Sequence, residues 1–147
     1  MHVELNAIML TGLGVSADIE KLRATAVTGE SIRMNIESSL RFPRPGYVEC
    51  VVTVESDSTT NAMKFKCSYT GEFTLTAENE LADEDRVKIS ASCTAKIFPY
   101  VRELVADITR RVPLTAPITL NPSLGDELAL MRQMSVKPNE AEGGAIQ

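Results

Sequence analysis

The chain has 147 residues, the size of one ordinary domain, and its 44% hydrophobic and 24% charged residues exclude a chain too polar to bury a core. Fifteen basic against twenty acidic side chains leave a net charge of −5, the wrong sign for a protein whose main partner is a nucleic-acid backbone. No run approaches the ~20 apolar residues of a membrane-spanning helix, and Met1-His2-Val3-Glu4-Leu5 lacks the basic, apolar start of a signal peptide. A cytoplasmic chain without membrane insertion is expected.

The amino-terminal segment, Val3 to Val15, is apolar but alternates poorly, and reads as a strand with a glycine-softened end; Gly12-Leu13-Gly14 marks a bulge or bend in it. From Ile32 to Phe42 the residues Ile32, Met34, Ile36, Leu40 and Phe42 hold one parity, broken only by Ser38, as in a strand with one buried face. Pro43-Arg44-Pro45-Gly46 interrupts it. Tyr47 to Glu55 then places Val48, Cys50, Val52 and Val54 on one face, and the polar stretch 56–61 supplies a hairpin loop. A third clear strand runs from Met63 to Ala77, with Met63, Phe65, Cys67, Tyr69, Gly71, Phe73 and Leu75 on one parity and a bend expected at Gly71.

The segment 83–93 is readable in two ways. Val87, Ile89, Ala91 and Cys93 alternate like a strand, while Asp83-Glu84-Asp85 resembles the acidic first turn of a helix. From Ala95 to Val112 the residues Ile97, Val101, Leu104, Val105, Ile108 and Val112 form one helical stripe, with Pro99 expected to start or kink the helix. Three prolines in 113–122 describe an extended crossing segment. A short helix from Leu124 to Ser135 follows, then a tail, 136–147, expected to be disordered. The fold class is α+β: a four-stranded antiparallel sheet covered on one face by a long helix and a short C-terminal helix, in a single domain over 1–135.

The chemistry-bearing residues are sparse. Cys50, Cys67 and Cys93 are an odd number with no C-x-x-C spacing, and His2 is the single histidine. That set leaves no metal site, cofactor loop or nucleophile–base pair, so a non-enzyme without cofactors is expected.

Ile97-Phe98-Pro99-Tyr100-Val101-Arg102-Glu103-Leu104 resembles the I/L-F-P-Y-x-R-E signature of the SecB protein-export chaperones, and Thr70-Gly71-Glu72-Phe73 resembles the strand with a G-x-F pattern in that family. Leu120-Asn121-Pro122 ahead of an acidic-starting helix also matches. The resemblance spans roughly 3–135 and implies an ATP-independent holdase that binds unfolded polypeptides or preproteins, assembled as a homotetramer, a dimer of dimers, through the long helix. It also implies that 83–93 is helical. Where family members that deliver cargo to the export motor SecA carry acidic residues on the wet sheet face, the matching positions are Gly12, Ser16 and Lys66. Docking to SecA is accordingly expected to be weak, and a chaperone dedicated to one client, such as an antitoxin, is the alternative. A module that binds one folded partner without holding clients is a further alternative.

A holdase needs an adaptable apolar groove, and six methionines suit one. Ile32, Met34 and Ile36 of the sheet, Tyr100 and Leu104 of the helix, and Leu114 and Ile118 of the crossing segment are the candidate client-binding residues. Phe98, Val101, Val105, Ile108 and Val112 are the candidate oligomer interface, because Phe98, Tyr100 and Val112 widen the helix's apolar arc beyond one packing face.

Overall fold

The computed structural model describes residues 1–28, 34–56, 63–77, 80–111, 126–127 and 130–131. In chain order the elements are β1 (His2–Ala17), α1 (Ile19–Thr28), β2 (Met34–Arg41), β3 (Tyr47–Ser56), β4 (Met63–Thr76) and α2 (Asp83–Thr109). The strands form one antiparallel sheet in the order β1-β4-β3-β2, leaving β1 and β2 as its edges.

Register explains why three strands are legible and one is not. Val48, Cys50, Val52 and Val54 of β3 stand opposite Phe73, Gly71, Tyr69 and Cys67 of β4, so the apolar parities coincide on one inner face. β2 joins that face through Leu40, Ser38, Ile36 and Met34. β1 carries two irregularities, between Leu5 and Ala7 and between Leu10 and Gly12. Each adds a residue and flips the parity, so the inward set runs Val3, Leu5, then Ile8, Leu10, then Leu13, Val15. The poor alternation of this segment is the signature of those two bulges.

α2 is 27 residues long, about 40 Å at 1.5 Å per residue, and it includes the ambiguous segment 83–93. The open choice for 83–93 is therefore decided as helix, as the resemblance implies, and the helix begins at Asp83. The cause is visible in the packing. The buried stripe continues upstream as Ile89, Ser90, Cys93 and Thr94, and two of those four are hydroxyl residues that a hydropathy pattern does not count. Ser90 Oγ lies 3.4 Å from Ser38 Oγ, and Thr94 Oγ1 lies 3.9 Å from Cys50 Sγ, so both hydroxyls find partners across the helix–sheet contact. Asp83, Glu84 and Asp85 form the acidic first turn, where Asp85 accepts a hydrogen bond from the Ala82 N–H at 3.0 Å. Pro99 lies inside the helix rather than at its start, and its side chain is exposed.

α1 has no counterpart among the expected elements. Its signal is the cap residue Asp18, whose Oδ1 accepts the Lys21 N–H at 3.2 Å, and Leu22 carries it into the core. Of the expected short C-terminal helix only one turn is described: Glu127, Leu130 and Met131 are helical and Leu130 is buried. Glu127 accepts from Ser92 Oγ at 3.3 Å and lies 3.8 Å from Lys96 Nζ, so this turn meets α2. Val112, the crossing segment and the tail lie outside the described residues.

The core sits between the inner sheet face and α2. At its centre Gly71 admits the helix: a Cβ there would lie 2.7 Å from Phe73 Cε2 and 2.9 Å from Ile97 Cδ1. Pairing runs through this point without interruption, and the structure shows a clearance role for Gly71. Gly71→Val should therefore destabilise the fold by about 1–3 kcal/mol through overpacking. Thermal unfolding measures it, and an unchanged midpoint would show that the helix gives way freely.

All three thiols are buried. Burial pushes Cys50 up to about 12 and Cys67 up to about 11 from 9.0, and raises Cys93 as well, with the neighbouring Cys50 adding to the Cys93 shift. A thiol-reactive disulfide reagent should leave the native chain unlabelled and titrate three thiols after unfolding. The folded state holds these protons more tightly than the unfolded chain does. Their contribution to stability is thus full below the ordinary thiol value of 9.0 and falls as pH rises above it, which urea midpoints at about pH 8 and pH 10 would read.

Candidate functional site

α2 leaves apolar surface uncovered beside β1. Leu10, Leu13 and Val15 face the helix side of the sheet, yet remain 43%, 48% and 41% exposed. Their β4 neighbours in register, Tyr69, Cys67 and Phe65, are half-buried or buried. Apolar side chains on the inner face of an edge strand, with nothing over them among the described residues, are unusual enough to mark a contact surface.

The aromatic corner of this ledge is built jointly by sheet and helix. Leu10 stands opposite Tyr69, whose ring centroid lies 6.4 Å from that of Tyr100 on α2, the planes tilted by 48°. Tyr100 is 43% exposed and Leu104, one turn further along the helix, is half-buried against the core. Partial burial raises the Tyr69 phenol pKa, helped by Cys67 and by the Glu103 carboxylate. The neutral phenol, an apolar ring with a polar tip, therefore persists across the physiological range.

A second, smaller flank lies at the opposite edge. Met34 and Ile36 of β2 are half-buried on the same inner face, and Phe42 just beyond the strand packs against the core beneath the Arg86 guanidinium, 5.6 Å from its ring centroid. Because β3 lies between β2 and β4, Met34 and Ile36 do not share a surface with Tyr69 and Tyr100. The structure thus separates the candidate client-binding residues into two flanks of α2. Ile32, Leu114 and Ile118 lie outside the described residues.

The candidate oligomer residues are placed differently from expectation. Phe98, Val101 and Val105 are 1%, 0% and 0% exposed within the single chain. They belong to the chain's own core and are corrected to core residues. Ile108 is half-buried against that core, and Val112 is outside the described residues. Leu10, Leu13, Val15 and Tyr69 are not among the sequence-derived site residues, since Leu10 aligns with Leu13 and Val15 on one face only when the bulge between Leu10 and Gly12 is allowed for.

Among solved structures, the chain matches the SecB-like chaperone Rv1957 of Mycobacterium tuberculosis, in complex with a ChAD peptide from the Rv1956 HigA1 antitoxin. The TM-score is 0.61 at 16% identity, over 81% of this chain and 86% of that one. The fold is SecB-like. A protein of unknown function from Streptococcus agalactiae also matches, at 14% identity over 82% of this chain and 98% of that one, with a TM-score of 0.43, too low to support an argument. No protein-family model and no curated protein matches the sequence.

Within this SecB-like fold the described residues contain no group of three or more His, Cys, Asp or Glu able to hold a metal, and no helix long and apolar enough to cross a membrane. What the site offers is apolar area, two phenols and an open strand edge, a set suited to binding chain segments. Spectrophotometric titration of the three tyrosines should show Tyr69 ionising late, a component absent in Tyr69→Phe and shifted towards lower pH in Glu103→Gln. A titration that Glu103→Gln leaves unchanged would place Glu103 too far from the phenol to matter.

Proposed function

We propose that the protein is an ATP-independent chaperone that holds a non-native polypeptide by covering its apolar segments. The observation that supports this reading most directly is the ledge of Leu10, Leu13 and Val15 beside the Tyr69–Tyr100 pair, on a strand whose ledge and outer edge are uncovered among the described residues. An extended segment laid there gains strand hydrogen bonds and apolar burial together, the latter worth about 25 cal/mol per Å². Met34 and Ile36 give a second contact on the far flank of α2.

A client of one kind, such as an antitoxin, is favoured over general preprotein export. The SecB-like neighbour was solved with an antitoxin peptide, and the outer sheet face carries lysines where resemblance to export-dedicated SecB proteins requires acidic residues. Engagement of SecA is correspondingly not part of the proposal. Assembly as a homotetramer, a dimer of dimers in the cytoplasm, is. With Phe98, Val101 and Val105 committed to the core, the half-buried Ile108 is the described α2 residue of the expected interface that remains for a second copy, and the β1 ledge is left to the client.

The test is suppression of aggregation of an unfolded model client at equimolar ratio, without nucleotide. Tyr100→Glu combined with Leu10→Glu should reduce holding severalfold while circular dichroism stays unchanged, and raised salt should leave wild-type holding intact because screening acts on charge pairs. Absence of suppression by the wild-type protein, or full holding by the double variant, would overturn the proposal. Native mass spectrometry of the same samples reads the tetramer.

A further inference from the structure

The sheet face turned away from α2 carries its charges unevenly. Near one end Glu49 and Glu72 stand directly opposite each other, with Glu4 beyond them opposite Thr74, and Arg41 binds Glu49 at 2.8 Å. In the middle rows Glu37 stands opposite Thr53, and the hydroxyls are used: Thr53 with Ser68 at 2.9 Å, Thr11 with Thr70 at 3.0 Å. At the other end Lys64 and Lys66 are exposed, and neither has an ion-pair or hydrogen-bond partner among the described residues. A hollow of about 440 Å³ at this end is lined by the two lysines, Gly14, Ser16 and Glu55, together with Val15, Ser56, Met63 and Phe65 of the inward parity. Register makes the hollow: Gly14 is opposite Lys66 and Ser16 opposite Lys64, and a Cβ added at Gly14 would meet nothing within 4 Å.

We propose that this hollow docks a short acidic segment of a partner protein, one with carboxylates at alternating positions. The spacing argues for it. Lys64 and Lys66 are two residues apart on one strand, so their stems emerge about 7 Å apart, as do alternate side chains of an extended peptide. The sign argues for it too. Two ammonium groups against the single carboxylate of Glu55 make a local positive site on a chain whose net charge is −5, so an acidic segment is drawn to this end of the face and repelled from the other. The same repulsion from Glu4, Glu37, Glu49 and Glu72 limits the occupant to a short segment and disfavours a long polyanion such as a nucleic acid. Small residues on β1 leave room for the segment's backbone beside the lysines. The site is on the opposite face from the apolar ledge, and this inference does not rest on the holding activity.

Fluorescence anisotropy with a labelled peptide carrying glutamate at alternate positions, against the same peptide with glutamine, tests it on the intact chain. The glutamate peptide should bind and the glutamine peptide should not, with affinity falling as salt rises. Lys64→Glu with Lys66→Glu should weaken binding by roughly tenfold or more, as expected for two reversed charge pairs. Glu55→Gln should tighten it, an effect opposite in sign that a damaged fold would not produce. Equal binding of both peptides, indifference to the lysine substitutions, or tighter binding of a single-stranded oligonucleotide would overturn the proposal. Since aggregation suppression is read on the other face, loss of either property leaves the other measurable.

Discussion

Everything in this structure follows from how closely α2 approaches the sheet at Gly71. Ile97 of the helix occupies the space a side chain at 71 would need, and Phe73 closes the other side of the same gap. A helix seated that low buries Phe98, Val101 and Val105 completely and brings Tyr100 within ring contact of Tyr69. It also crosses the sheet rather than covering it, since its early turns meet β2 at Ser38 and its middle meets β4 at Gly71. Among the described residues one helix laid across four strands covers Val3, Leu5 and Ile8 of β1 but leaves Leu10, Leu13 and Val15 exposed on the inner face. The contact surface is the consequence of the packing that holds the domain together.

Two of the stretches that resemble SecB, around Gly71 and from Ile97 to Leu104, are distant in the chain and meet at this one contact. The string contains both kinds of residue for a physical reason. Ile97, Phe98 and Val101 are inward packing residues, whereas Tyr100 is 43% exposed and Glu103 and Pro99 face solvent. A SecB-like fold at 16% identity to its structural neighbour can be kept by a few such packing positions while the rest of the surface diverges. The outer sheet face, with Lys64 and Lys66 at one end and Glu49 paired with Glu72 towards the other, is where this chain shows such a surface of its own.

The two faces of the sheet present different physics. On the helix side, apolar area and neutral phenols make contacts that salt does not screen. On the outer side, hydroxyls are paired among themselves and the exposed charges are the groups left to interact, which ionic strength screens. Buried thiols, held protonated by desolvation, add packing to the core without offering reactivity to either face.

Alternation along β2, β3 and β4 determined three strands, their inner face and most of the core from local pattern alone, because a side-chain period of two survives wherever no residue is inserted. The helical stripe from Ile97 to Ile108 was equally legible. What failed was legibility where polarity and burial part company, or where the period is broken. Ser90 and Thr94 are buried hydroxyls that hid the first half of α2, and two bulges hid the inward face of β1. Only the tertiary structure decided which apolar residues are spent inside the protomer and which remain available. Phe98 and Leu10 are both apolar in sequence, but one lies under the helix at 1% exposure and the other on an edge the helix does not reach, at 43%. That difference is set by strand order and helix crossing, which no local window contains.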